Sequence, residues 1–316
     1  VCFYLPYKYP DLPKSLSASF EAVIPGGVSA REAAEIIRKA GAVGDAKALA
    51  RAMADIGIDR RLKPGLYSLY KSTPAGVARQ LAKAKPIADR MTLIPGFRYR
   101  RVAALFGGAA GAKPHFDAAM ENADNFPAEV RAWLPSRKEE RIVFLLPETY
   151  FIAPGPQAAA EFVKSASSLW YDRIGSKIAA DAAPESVMKS GILASLVEGE
   201  AKAADERPIL AGIFLKRLEK NMRLQSCATV IYAWDELNIR KSRLSYRDLE
   251  INSPYNTYLV GGLPPGPICA PSESSWKSAL EPEESDYLFF FADREGRHVF
   301  SKSYEEHLAK QRRLGL

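Results

Sequence analysis

The chain has 316 residues, 47% of them hydrophobic and 26% charged, with 44 Lys and Arg against 37 Asp and Glu for a formal charge of +7. That is the composition of an ordinary globular protein long enough for two domains, and three cysteines (Cys2, Cys227, Cys269) exclude a disulfide-dense scaffold. The positive balance would suit an anionic polymer or surface, but the basic residues are scattered. Their tightest cluster, Arg98-Tyr99-Arg100-Arg101, reads as a solvated face. With no P-loop, zinc-finger spacing or RNA-binding signature, nucleic acid is not expected as a partner. His115, His298 and His307 show no metal-ligand spacing, so neither a metal nor another cofactor is expected.

Residues 1–17, with Pro6, Pro10 and Pro13, read as an extended tether, and Val1-Cys2-Phe3-Tyr4-Leu5 as the trailing edge of a removed segment. Ser19 to Ile24 alternates like a strand. Pro25-Gly26-Gly27 turns into a helix opened by Ser29, with Glu32 three residues on completing a capping box. An Ala-rich helix follows over Asp45 to Ile56, then a short strand over Leu66 to Tyr70 and a helix over Thr73 to Ala84. Met91 to Ile94 reads as a strand, Pro95-Gly96 as a turn, and Tyr99 to Phe106 as a helix, with a Gly/Ala-rich break over Gly107 to Pro114. Val143 to Leu146 reads as a buried strand ending at Pro147, and Glu161 to Ile178 as a helix. Asp286 to Phe291 and His298 to Ser301 flank Asp293-Arg294-Glu295-Gly296, a hairpin signal. No apolar run approaches the length of a membrane span.

The informative stretch is Ala194 to Ala201. Leu193, Leu196 and Val197 lie on one helical face, and Glu200 is the next position on it. Glu198 is expected on nearly the opposite side, with Ala201, Lys202 and Asp205. A carboxylate continuing an apolar stripe is either paired or partly protonated by dry surroundings, and a protonated Glu is what general-acid chemistry needs. A second amphipathic helix begins at Glu206-Arg207-Pro208 and presents Ile209, Leu210, Ile213, Phe214 and Leu218. Gln225 and Asn256 offer amides for sugar hydroxyls or N-acetyl groups, and Tyr255 and Tyr258 offer flat faces for pyranose rings.

The ordered set Glu198-Gly199-Glu200, Glu206-Arg207, Arg217-Leu218, Met222-Arg223-Leu224-Gln225, Thr229-Val230-Ile231-Tyr232, Tyr255-Asn256-Thr257-Tyr258 and Gly262-Leu263-Pro264-Pro265-Gly266 closely resembles the endolytic murein transglycosylases, the MltG or YceG-like family. The match runs from about Gly191 to His307, and a weaker one covers most of the rest. The resemblance implies an α+β protein: a small LysM-like module over residues 18–85, followed by a mixed α/β catalytic domain over 86–316. In such a module a packing or spacer role outweighs glycan binding. It also implies a peptidoglycan lytic transglycosylase held at the cytoplasmic membrane by an N-terminal helix outside this sequence. The catalytic part would then be extracytoplasmic, with glycan strands as substrate and cell-wall synthases as the partners it suggests.

By motif position Glu200 corresponds to the family's catalytic acid and Glu198 to its flanking Glu, a candidate substrate contact. Glu206 is expected to pair with an Arg in a structural role. One departure stands out: where several members have Asp-Pro after Leu-Gln-x, this chain has Cys227-Ala228. Cys227 and Cys269 are read as free thiols. Two alternatives stay open. One is a non-catalytic peptidoglycan-binding scaffold; the other is a two-carboxylate glycoside hydrolase using Glu198, Glu206 or Asp248 beside Glu200.

Overall fold

The computed structural model describes residues 19–106 and 113–315, so the expected tether and residues 107–112 of the expected Gly/Ala-rich break lie outside the described residues, while Lys113 and Pro114 begin a helix. In chain order the first elements are β1 (Ser19–Ile24), α1 (Ala30–Lys39), α2 (Ala46–Asp55), β2 (Gly65–Tyr70), α3 (Pro74–Lys83) and β3 (Asp89–Thr92). Then come α4 (Tyr99–Ala103), α5 (Lys113–Glu121), α6 (Ala128–Arg131), β4 (Thr149–Ile152) and α7 (Ala158–Arg173). The last part holds α8 (Pro184–Glu200), α9 (Arg207–Glu219), α10 (Cys227–Glu236), α11 (Glu273–Leu280), β5 (Phe289–Ala292), β6 (His298–Ser301) and α12 (Tyr304–Leu314). Helices dominate this mixed architecture, and its strands pair in antiparallel twos. No helix among the described residues is long and apolar enough to cross a membrane.

The chain divides into two compact units, the first built from residues 19–92 with 149–165. Here local sequence signals decide the element ends. Ser29 accepts from the Glu32 amide while Glu32 accepts from Ser29, satisfying two donors that a helix start leaves unpaired. Asp45 caps α2 by accepting from the Ala48 amide, and Thr73 with Pro74 opens α3. β1 and β2 pair from Ser19 opposite Tyr70 to Ile24 opposite Gly65. Ile24, Ile37, Leu49, Met53, Leu69 and Val77 close the core beneath them. Gly65 is required at its place, because an added Cβ would meet the Ile87 carbonyl oxygen at 2.8 Å. The unit runs past residue 85 to include β3 paired with β4, which places β3 two residues earlier than the expected strand at Met91.

The second unit comprises residues 93–148 and 166–315. Lys138–Phe144 is a 3₁₀ helix rather than the expected buried strand, and the strand comes after Pro147 instead, as β4. A short apolar run is compatible with either conformation. What decides is tertiary: Trp276 Nε1 donates to the Val143 carbonyl at 3.1 Å, and Phe144 packs edge-on against Trp170. α7 ends at Arg173, short of the expected Ile178, and a 3₁₀ turn takes over at Gly175. The hairpin forms as expected, β5 against β6, with Gly296 at φ 83° in its turn. α8 runs through the centre, buried from Gly191 to Val197 and packed against α9, α10 and α11.

Candidate active site

α8 is buried from Gly191 to Val197, and the Glu198 side chain just beyond is covered too, only 7% exposed. Glu198 Oε2 accepts from the Ser272 amide (2.9 Å), the Ser272 hydroxyl (2.5 Å) and the Ser275 hydroxyl (2.7 Å). Ser272 is the N-cap of α11, so the carboxylate sits at a helix N-terminus, where unpaired amides and the dipole favour an anion. Its other oxygen faces the Arg207 guanidinium at 3.6 Å. Glu198 thus pins α8 to α11 and α9, so the side of α8 on which it was expected is covered and both of its oxygens are engaged within the fold.

Glu200 ends α8 and is half-buried. Its carboxyl is hydrogen-bonded through one oxygen. Oε1 accepts from the Ser226 hydroxyl at 2.5 Å and from the Ala228 amide at 3.2 Å, while Oε2 accepts no hydrogen bond among the described residues. Both donors come from the start of α10. That amide is free because the first amides of a helix have no intrahelical partner. Gly199 lets the two helices meet here, since a Cβ on it would lie 2.7 Å from the Ala228 Cβ. In the Asp-Pro pattern a proline at position 228 would have no N–H to give, so this chain's Ala228 adds a donor to the carboxylate.

Ser226 is itself held by a buried hydroxyl network. Its amide donates to Thr257 Oγ1 (2.9 Å), its carbonyl accepts from Thr229 Oγ1 (2.7 Å), and the two threonine hydroxyls lie 2.9 Å apart. All three residues are at most 1% exposed, so the donor to Glu200 is rigid. Sequence reasoning missed Ser226 and Thr257. It also missed Arg217, a charge on the apolar face of α9. Arg217 donates to the carbonyls of Leu288 (2.7 Å) and Leu224 (2.6 Å) and lies over the rings of Phe289 and Phe290. Burial pulls the Arg217 guanidinium down from its ordinary value, and Tyr258 and Glu200 oppose that shift.

The other expected site residues part company. Gln225 has its amide N–H on the Thr257 carbonyl and a left-handed backbone, φ 47°, a conformation that costs a non-glycine residue energy and clusters at functional sites. Its side chain is exposed next to Ser226. Tyr258 is half-buried with its hydroxyl 3.1 Å from Cys227 Sγ, and burial pushes its phenol up, with the neighbouring Cys227 and Glu200 adding to the shift. Tyr255 is buried against Tyr232, with ring centroids 4.6 Å apart, so its ring face is not open to a sugar. Asn256 is fully buried. Its amide hydrogens go to the carbonyls of Leu249 and Ile251, and its oxygen accepts from the Tyr258 amide. Asn256 builds the turn and has no donor left for a sugar.

The three carboxylates considered as partners for Glu200 are each committed elsewhere. Glu198 is occupied as described. Glu206 is buried at the start of α9, paired with His298 Nδ1 at 2.7 Å and Arg297 Nε at 3.4 Å. Asp248 pairs with Lys241 at 2.7 Å and caps Ser245, which together hold it down to about 2. Cys227 and Cys269 are free thiols, the latter buried with Sγ donating to the Ser195 carbonyl.

The model of the YceG-like family matches residues 22–313. Over 122 residues, 39% of this chain and 33% of the relative, the sequence is 48% identical to the endolytic murein transglycosylase of Bacillus subtilis. Over 280 residues it is 29% identical to the endolytic murein transglycosylase of Streptococcus pneumoniae R6, covering 78% of this chain and 49% of that one. The chain therefore spans a third to a half of the length of these curated relatives. The crystal structure of a yceG-like protein from Listeria monocytogenes superposes with a TM-score of 0.56 at 27% identity, covering 93% of this chain and all of that one.

Proposed function

This chain belongs to the YceG-like family, and from that membership we propose that it is an endolytic peptidoglycan lytic transglycosylase. It cuts the bond between N-acetylmuramic acid and N-acetylglucosamine and leaves a 1,6-anhydro end. The observation that carries the reading is the state of Glu200. One oxygen is anchored by Ser226 and Ala228, and the other accepts nothing from the described residues. A carboxyl held this way has a fixed direction and a free oxygen for a proton transfer. As general acid it protonates the bridging oxygen; as carboxylate it then takes the proton of the muramyl 6-hydroxyl, which attacks C1 and closes the ring. No external water is activated, so one carboxylate suffices. The commitment of Glu198, Glu206 and Asp248 to other partners supports this over hydrolysis by two carboxylates.

In this reading Gln225, which precedes Ser226 in the chain, and Tyr258, whose hydroxyl meets Cys227, contact the sugar, while Tyr255 and Asn256 support the turn that leads into Tyr258. The part of the first unit up to residue 85 serves as a LysM-like module; its support is the strand–helix–helix–strand order closed by an antiparallel pair. Murein lies outside the cytoplasm, so the catalytic part acts there, held at the cytoplasmic membrane and working beside cell-wall synthases, as the resemblance implies. Digestion of purified glycan strands in heavy-oxygen water tests the reaction. Internal attack leaves the new ends unlabelled and 1,6-anhydro. Label at a new reducing end would mean hydrolysis and overturn the reading, as would absence of cleavage.

A further inference from the structure

The cluster Arg98 to Arg101 is not simply a solvated face. α4 and the end of α10, with the loop after it, come together around a cavity of about 1060 Å³ lined by Phe97, Arg98, Arg100, Arg101, Arg240 and Lys241. Two segments some 140 residues apart in sequence thus place five cations on one cavity, against Asp235 as its one acidic lining residue. Their pairing is uneven. Arg98 is matched by Asp235 at 2.6 Å, Arg100 by Asn238 and Glu236, and Lys241 by Asp248. Arg101 lies over the Phe97 ring at 4.8 Å, and neither it nor Arg240 has a carboxylate partner among the described residues. Two guanidinium forks are therefore free for an oxyanion, and each can hold a carboxylate or phosphate through two parallel hydrogen bonds.

We propose that this cavity takes a carboxylate-bearing peptide substituent of the glycan strand that Glu200 cuts, an inference that rests on the reading of Glu200 above. Three features choose a peptide over a phosphodiester polymer. Only two of the cations are unpaired, too few for a chain charged at every repeat. The cavity wall also carries Leu105 and Ile231, apolar surface that suits peptide side chains and not a run of phosphates. Finally, α10 joins the two places. Its first turn gives Glu200 the Ala228 amide, and Asp235 on the cavity lies seven residues later, roughly 10 Å along the helix. A peptide of three or four residues extends about 10–14 Å, so a side branch of a strand at Glu200 reaches the cavity.

The test measures binding with cleavage blocked by Glu200→Gln, comparing that protein with one that also carries Arg101→Gln and Arg240→Gln. The probes are glycan strands bearing their peptides, the same strands stripped of peptide by amide hydrolysis, and poly(glycerol phosphate). The expected result is that peptide-bearing strands bind about 3- to 10-fold tighter than stripped ones, that added salt erodes the difference, and that the double substitution removes it. Stripped strands should bind both proteins equally, and melting temperatures should agree. Equal binding of peptide-bearing and stripped strands overturns the proposal. So does an arginine-dependent preference for poly(glycerol phosphate). Cleavage of stripped strands by the unmodified enzyme is scored separately, so a protein that binds peptide through these arginines but never cuts would refute the lyase reading alone.

Discussion

The Ser226 hydroxyl donates to Glu200 Oε1 at 2.5 Å, joining the last residue of α8 to the residue that opens α10. Behind it stands the Thr229–Thr257 hydroxyl pair, which holds the Ser226 backbone in place through its amide and carbonyl. A flexible glutamate at a helix end would sample several rotamers. Here one oxygen is fixed, and the orientation of the other follows from it. Preorganisation of this kind matters because a proton donor is useful only in the geometry of the bond it cleaves.

Glu200→Gln should keep the fold, because the amide oxygen can still accept from Ser226 and Ala228, while the protonatable oxygen is gone. Turnover of glycan strands should fall by roughly a thousandfold or more, within the range general-acid catalysis supplies. Melting temperature should stay within a few degrees. Near-normal turnover by this variant would remove Glu200 from the mechanism.

Ser226→Ala removes the anchor and leaves the acid. We expect kcat to drop about tenfold, equivalent to about 1.4 kcal/mol of lost positioning, with KM little changed. Ala228→Pro deletes only the amide donor, at a helix position where proline is tolerated, and should cost about two- to fivefold. A rise in KM with kcat untouched, in either variant, would mean that these groups touch substrate and do not aim Glu200.

Glu198→Ala should act on stability. It strips three donors at α11 of their acceptor and leaves the Arg207 guanidinium without its carboxylate in a site where Glu198 is 7% exposed. A loss of about 2–4 kcal/mol is expected, read by denaturant titration. The surviving folded enzyme should retain its KM for glycan. A raised KM at unchanged stability would restore Glu198 as a sugar contact.

Asp248 makes a prediction for acid. Its bond from Lys241 and then those from Ser245 hold it down to about 2, below the ordinary aspartate value of 3.8. A depressed carboxylate stabilises the fold fully above its unfolded value and loses that contribution as pH falls through the folded one. The melting-temperature gap between the native chain and Asp248→Asn should therefore be widest near neutral pH and close between about pH 4 and pH 2. A gap that stays constant down to pH 2 would count against the Lys241 pairing.

What could be read from the chain alone was what is encoded over a few residues. The Ser29–Glu32 capping box, the Thr73-Pro74 and Glu206-Arg207-Pro208 helix starts and the hairpin around Gly296 are local, since each depends on atoms within about one turn. Glu200 was also legible, from its position after Leu196 and Val197 on one face. Gln225 and Tyr258 were legible as chemistry suited to sugars, though what each touches was not.

The remainder was set by contacts far apart in sequence. Helical periodicity alone put Glu198 nearly opposite the apolar stripe, but α11 arrives 74 residues later to cover that side. Asn256 and Tyr255 carry the chemistry of sugar contacts, yet one is spent on the carbonyls of its own turn and the other is packed on Tyr232. Val143 became part of a 3₁₀ helix when Trp276, 133 residues away, claimed its carbonyl. For Glu198, Asn256 and Val143 a buried polar partner decided the outcome, because leaving that partner unsatisfied costs more than the local preference is worth. For Tyr255 ring packing decided it.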